Sequence, residues 1–329
     1  MVATQIFMTK KIDIGILGAD GRMGQAVMRA LETDLQLRLT VAITSYDSPN
    51  IGKDAHKIAN LKPVGLMLST NINEGLNLCD ILIDFSRPEA TLNVLSLMKQ
   101  SRCNTLITGT TGYSKKQEKE FQDSVKGHTV LQSGNFSPGI NMLQALVKIA
   151  SEKLNDKWDI EILEMHHKSK KDAPSGTALM LGQAAADGRK VKLEEKISTS
   201  RASHSKARKE EEIGFAVLRG GGVIGQHEVR IANDQEMITL RHDAFDRDVF
   251  AKGAVNAAIW AHRQEPGIYS MKDILNSIIS LLISKPLYWN FLSNSLSLII
   301  SNSLPYPQPT SAIETIFDRE CFIILSNIF

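Results

Sequence analysis

Between Glu164 and Leu179 the sequence reads EMHHKSKKDAPSGTAL, with His166 and His167 adjacent, Lys168, Lys170 and Lys171 following, and then a Pro-Ser-Gly-Thr turn. Residues of these types at this spacing suit an anion. Lysine and protonated histidine offer cationic partners, and a Ser-Gly-Thr turn opening a helix offers unpaired N–H groups at the positive end of the helix dipole. The formal net charge is only +2 over 329 residues, so the cluster is local and not one patch of a basic domain. A solvated basic loop is the plain alternative, because charge runs are commonly that.

A second constellation lies near the start. GILGADGRMGQAV sets Gly18, Gly21 and Gly24 in a Gly-x-x-Gly-x-x-Gly spacing between a β-branched run and an amphipathic helix. Glycines there let the backbone approach a pyrophosphate, which the helix N-terminus then holds, and Arg22 can add charge to the phosphates. After the second strand an acid would suit the ribose of NAD and an arginine the 2′-phosphate of NADP. VAITSYDS offers Thr44 and Ser45, two hydroxyls and neither charge, which leans toward NADPH and leaves NADH open. Two later strand ends carry GTTG (Gly109 to Gly112) and SGNFS (Ser133 to Ser137). Ligands of open α/β sheets bind outside that edge, so these loops are candidates to flank the nicotinamide, with ordinary strand-to-helix loops as the alternative.

The elements that must position these groups follow from periodicity. KIDIGIL, LRLTVAI, DILIDFS, NTLITGTTG and HTVLQSGNFS read as strands alternating with helices. That pattern predicts an α/β fold with a Rossmann-like, doubly wound parallel sheet. From Pro138 the texture changes to a long helix, the strand WDIEILEMHH, a helix after the histidine motif, a charged mobile loop over Arg189 to Glu212, and a glycine-punctuated β-meander through Ala244. This predicts a second α+β domain with a mixed sheet for substrate binding and oligomerisation. The expected boundaries are 1–137 for the dinucleotide domain, closed by a helix within 244–275, and 138–243 for the second domain. The remainder, 276–329, is expected to be a poorly ordered extension: prolines, asparagines and serines interrupt its apolar runs, which argues against a membrane span.

Composition narrows the function. A near-neutral balance with 43% hydrophobic residues excludes a dedicated nucleic-acid binder. Cys79, Cys103 and Cys321 show neither CxxC nor Cys/His metal-ligand spacing, so no metal site and no disulfide framework are expected. The N-terminal stretch lacks a secretory h-region, and the location expected is cytoplasmic. His227, His242 and Asp243 read as satisfied polar groups of the meander, and Arg219 as a surface arginine beside a turn.

Taken in order, GADGRMG, DFSRPEAT, GTTGYS, GNFSPGIN, EMHHKSKKDAPSGTA and IGFAVLRGGGVIGQHEV closely resemble the 4-hydroxy-tetrahydrodipicolinate reductase (dihydrodipicolinate reductase) family of bacterial lysine and diaminopimelate biosynthesis. The likeness runs from about Lys11 to about Leu275. It implies an NADH- or NADPH-dependent reductase of a small cyclic dicarboxylate, assembled as a homotetramer, with neither nucleic acid nor membrane as a partner.

By the same resemblance, cofactor contacts fall on Gly18, Ala19, Asp20, Gly21, Arg22 and Met23, on Gly109, Thr110 and Thr111, and on Ser133, Gly134, Asn135 and Phe136. The catalytic histidine falls on His166 and the lysine proton donor on Lys170. Substrate contacts fall on His167, Gly176 and Thr177. Three departures stand out: Thr44 replaces the acid many members carry, SHSK at Ser203 to Lys206 replaces a Gly-His-Thr-Gly, and nothing in the family accounts for the tail. Another oxidoreductase on the same scaffold and a non-catalytic dinucleotide-binding protein are the competing readings.

Overall fold

The computed structural model describes residues 10–154, 156–199 and 207–284. The first half runs β1 (Ile12–Leu17), α1 (Arg22–Leu31), β2 (Leu37–Ile43), α2 (Ala55–Ile58), α3 (Ile72–Leu78), β3 (Ile81–Asp84), α4 (Pro88–Met98), β4 (Thr105–Thr108), α5 (Lys115–Ser124) and β5 (Thr129–Gln132). The chain continues as α6 (Pro138–Lys153), β6 (Asp159–His166), α7 (Gly176–Arg189), α8 (Leu193–Lys196), β7 (Ile197–Ser198), β8 (Ile213–Arg219), β9 (Gly225–Ala232) and β10 (Met237–Ala244). It closes with α9 (Asp248–Ala261), β11 (Gly267–Tyr269) and α10 (Met271–Ser284).

The first sheet has the order β11-β5-β4-β3-β1-β2, and every pairing in it is parallel. Parallel strands are covered on both faces and therefore read as continuous apolar runs. ILID in β3 and TLIT in β4 are buried along their whole length. The strand order reverses between β1 and β3, the switch point outside which such sheets bind ligands. Helix starts follow local chemistry: Pro88 opens α4, and Ser114 with Gln117 closes a capping box on α5. Leu82, Val94, Leu95, Leu106 and Phe121 form the core beneath α4 and α5. The strand β11 gave no recognisable signal in the sequence, being three residues at the sheet edge.

The second sheet is mixed, with order β10-β9-β6-β8-β7. β6 runs parallel to β8 and antiparallel to β9. On one face α6 and α7 bury Ile160, Ile162, Phe215, Val229 and Ile231. The expected meander is therefore only half right. β9 and β10 form a hairpin, but β8 and β9 are not neighbours, because β6 lies between them. Residues 220–224 carry the chain across the end of β6, a span of about 10 Å at roughly 4.8 Å per strand spacing. The alternation of β6, with Ile160 and Ile162 facing the helices, makes it the strand best able to fill the middle.

The Arg189–Glu212 stretch is also more structured than a loop. It holds α8, whose Leu193 is buried, and β7, which extends the sheet beside β8. Ser203 to Lys206 lie outside the described residues, as does the chain from 285 onward. The expected extension begins helically, since α10 continues through Asn276 to Ser284. Residues from Lys272 belong to a separate compact unit, and α10 is described by itself. Among the described residues no helix is long and apolar enough to cross a membrane.

Candidate active site

At the carboxyl edge of the first sheet the site is made of backbone. The Gly18 and Ala19 N–H groups both donate to the Ile43 carbonyl at 2.9 Å, bending the chain over the end of β2. Gly18 has a φ of +80°, where side chains are strained, and a Cβ on Gly24 would lie 2.3 Å from the Gly18 oxygen. The turn thus leaves room that only glycine provides. Gly21 caps α1 without a side-chain bond, so the first N–H groups of the helix, at Arg22 and Met23, are free of intrahelical partners. Arg22 itself is exposed. This cradle fits a dinucleotide pyrophosphate.

Behind it sits Asp84, fully buried at the end of β3. It accepts from Thr91 (2.6 Å), Thr108 (2.8 Å), Thr110 (3.1 Å) and the Ser86 N–H (2.9 Å). Burial raises its pKa against these donors. The next residue, Phe85, ties three loops together. Its carbonyl faces Gly18, its ring covers Gly109, and it meets Phe136 edge-on at 5.6 Å, a contact worth roughly 0.5–1.5 kcal/mol. Ser133 donates its N–H to Thr108 (3.1 Å), and Gly134 lies beside Thr111. The loops of Gly109 to Thr111 and Ser133 to Phe136 are therefore brought together.

The end of β2 differs from expectation. Thr44 is buried and its hydroxyl donates to Asp20 Oδ1 at 2.5 Å, Ser48 donates to the other carboxylate oxygen, and the Ser45 hydroxyl is turned onto Asp47. Neither hydroxyl waits for a phosphate. An acid is present after all, contributed by the glycine turn and not by the strand. Burial opposes its ionisation, but the Ser48, Thr44 and Asn50 side chains outweigh that and hold the carboxyl below its ordinary range.

The second sheet presents a different site at the ends of β6, β8 and β9. His166 ends β6, and its Nδ1 meets the Glu164 carboxylate at 2.5 Å. Arg219, ending β8, donates from both terminal nitrogens to Glu164 at 2.8 and 2.9 Å, and the Ser175 N–H adds a further bond at 2.9 Å. Glu164 is only 1% exposed. Burial works against its charge, yet Arg219, His166 and the Ser175 N–H together hold its pKa below the usual value. An ionised Glu164 fixes the proton of His166 on Nδ1 and leaves Nε2 as the open nitrogen. Burial lowers the pKa of His166 despite Glu164. Arg219 is thus no surface arginine, and His227 is more than a satisfied polar group. The His227 ring lies 5.1 Å from that of His166, and Nε2 meets the Ser175 hydroxyl at 3.2 Å. Burial first, then the neighbouring His166, pushes the His227 pKa down to about 3.

After β6 the chain turns through His167, whose carbonyl accepts the Lys170 N–H at 3.1 Å. The Lys170 ammonium pairs with Asp172 at 2.9 Å, close enough for its charge to reach His166 and His227. Lys168 and Lys171 are exposed. Ser175 caps α7 by accepting the Ala178 N–H, while its own N–H is spent on Glu164 and its hydroxyl meets His227. Gly176 and Thr177 then carry the free N–H groups of the helix start, and a Cβ on Gly176 would meet nothing within 4 Å. Asn135, from the first sheet, donates to the Thr177 hydroxyl at 3.2 Å. The SGNFS strand-end loop and the Ser-Gly-Thr turn read from the sequence meet there.

Glu164, Asp84, Phe85 and the roles of Arg219 and His227 were not legible from the motifs. Glu164 and Asp84 each left a trace, an acid within a run of apolar strand residues. Among the described residues no group of histidine, cysteine, aspartate or glutamate could hold a metal ion.

Comparison with known proteins gives a consistent result. The family model described as "Dihydrodipicolinate reductase, N-terminus" matches residues 12–136, and that for the C-terminus matches 139–275. The 4-hydroxy-tetrahydrodipicolinate reductase of Sinorhizobium medicae (strain WSM419) is 46% identical over 261 residues, covering 79% of this chain and 96% of that protein. The enzyme of the same name from Parvibaculum lavamentivorans is 44% identical over 269 residues, covering 82% and 99%. Among solved structures, the dipicolinate-bound dihydrodipicolinate reductase of Paenisporosarcina sp. TG-14 superimposes with a TM-score of 0.61 at 22% identity, covering 79% of this chain and 97% of that one. That likeness speaks for the fold.

Proposed function

The chain belongs to the dihydrodipicolinate reductase family, and from that premise we propose how its own residues carry the reaction. The family's reaction is the NAD(P)H-dependent reduction of 4-hydroxy-tetrahydrodipicolinate to tetrahydrodipicolinate on the route to diaminopimelate and lysine. Overall, substrate, NAD(P)H and a proton give product, NAD(P)⁺ and the water formed from the substrate's hydroxyl. The bound cofactor supplies the hydride.

The dinucleotide is held at Gly18 to Met23 and its nicotinamide end between Gly109 to Thr111 and Ser133 to Phe136. One substrate carboxylate sits on the N–H groups of Gly176 and Thr177, with the Thr177 hydroxyl as a further donor; His167 lines the same place. Lys170 gives the proton to the carbon beside the one reduced. His166 stabilises the charge that passes through, its ring fixed by Glu164, and Arg219 keeps Glu164 ionised. The observation that carries this reading is the Asn135–Thr177 hydrogen bond, which sets the nicotinamide loop against the anion turn.

An assay with synthase-generated substrate tests it, following nicotinamide oxidation with NADH and NADPH separately. Wild-type turnover that collapses in Lys170→Ala and His166→Ala supports the roles. Full activity in both variants would reduce the basic motif to a solvated loop.

The same proposal includes a homotetramer in the cytoplasm. α6 and α7 cover one face of the second sheet, while Leu218 and Met237 on the other are 49% and 55% exposed. Light scattering should give four times the chain mass, and Leu218→Glu should lower it. A monomeric wild type would refute the assembly.

A further inference from the structure

We propose that Asp20, supplied by the glycine turn, selects NADH over NADPH. The proposal rests on the reading that Gly18 to Met23 hold the dinucleotide, and it specifies which dinucleotide.

Three observations converge on Asp20. The first is its place. Gly18 and Ala19 are bonded to Ile43, the last residue of β2, so the side chain of Asp20 projects beside the end of that strand. This is where the adenosine ribose lies in a doubly wound sheet, and where a strand-end acid ordinarily receives the ribose hydroxyls. The strand has no acid of its own there, since it continues as Thr44 and Ser45. The second is fixation. Thr44 and Ser48 each donate to one carboxylate oxygen, so the group is held in place and not waving in solvent. A carboxylate offers about four lone-pair sites, so the bonds from Thr44, Ser48 and Asn50 leave it able to accept from a ribose hydroxyl. A 2′-phosphate in the same place would bring about two negative charges against a fixed carboxylate, and like-charge juxtaposition is repulsive.

The third concerns the cations that could rescue NADPH. Arg87 is one candidate, and its charge acts on Asp47 and on Glu89, so it is already flanked by acids. Asp47 in turn adds a second carboxylate close enough to be felt at Asp20. Arg22 opens α1, and the proposed function gives it to the pyrophosphate. The end of β2 therefore carries two carboxylates and one shared guanidinium.

The test is direct binding, independent of turnover. Calorimetric titration of the ligand-free enzyme should give a lower Kd for NADH than for NADPH. Asp20→Asn keeps the shape and removes the charge; it should tighten NADPH by about tenfold or more while weakening NADH a few-fold. A wild type that binds NADPH as tightly as NADH, or an Asn variant that changes both equally, overturns the proposal. Binding of neither dinucleotide would instead overturn the assignment of the glycine turn. Should the variant fail to fold, the wild type still decides: 5′-ADP must compete with NADH better than 2′,5′-ADP does, and the opposite order refutes selection by Asp20.

Discussion

In the function proposed above, the edges of the two sheets each hold an anionic ligand group, with different materials. Around Gly18, Gly21 and Gly24 the first sheet uses backbone, and space that a Cβ would fill. The buried acid at this edge, Asp84, is satisfied by hydroxyls and an N–H. At the second edge the fixed points are charges: Arg219 on Glu164, Glu164 on His166, with His227 alongside. Backbone suits a ligand part that is only bound, because N–H groups do not titrate. Side chains are needed where a proton has to move.

The comparison breaks most visibly by removing protons from one edge only. Lys170→Ala and His166→Ala should each lower kcat by about 10²–10⁴, with the NADH Kd unchanged, and the double variant should cost less than the product of the two. Single-turnover and binding measurements check both halves. Gly24→Ala is the converse. It should weaken dinucleotide binding by roughly tenfold or more, since the glycines exist for close approach, while kcat at saturating cofactor stays near wild type. A Gly24→Ala enzyme with normal Kd would show that the turn is only a turn.

A smaller effect concerns pH. His166, His227 and His242 have folded pKa values below the ordinary 6.5. A histidine depressed on folding stabilises the protein above its unfolded pKa. That contribution is lost as pH falls below about 6.5 and the unfolded chain takes up protons the native one refuses. For His227 the loss continues down to about 3. Urea midpoints should therefore fall from pH 7 to pH 5, and His227→Asn should flatten the slope; an unchanged slope removes His227 from the account. Smallest of all is the tail. The family match ends at residue 275, so a chain ended at Ser284 should keep its kcat and elution volume, and a loss of either would make the tail part of the enzyme.

What the sequence made legible divides along the same line. The glycine turn was readable because backbone chemistry is written locally, in spacing. The five leading strands were readable because buried parallel strands are short apolar runs between helices. The Ser-Gly-Thr turn was readable for the same local reason. What escaped depends on pairing between distant segments. Arg219 meets Glu164 across 55 residues only because β8 lies beside β6. The glycine-rich turn after Arg219 looked like a hairpin, and a hairpin would have put β9 there instead. Asp20 meets Thr44 across 24 residues, so scanning the strand end for an acid found none. His227 reaches His166 through the antiparallel register of β6 and β9, which no single segment records.

The short strand β11 has a consequence for how the protein is made. It pairs with β5, Gly267 opposite Thr129, and so completes the first sheet from beyond the second one. On a ribosome, the chain emerges with β1 to β5 first, yet among the described residues that sheet keeps an open edge at β5 until β11 is translated. Every residue of the proton-transfer edge is already synthesised by then. The sheet begun earliest is thus completed after the second one, and a nascent chain stalled before Gly267 would carry the residues proposed to move the proton on a scaffold still missing β11.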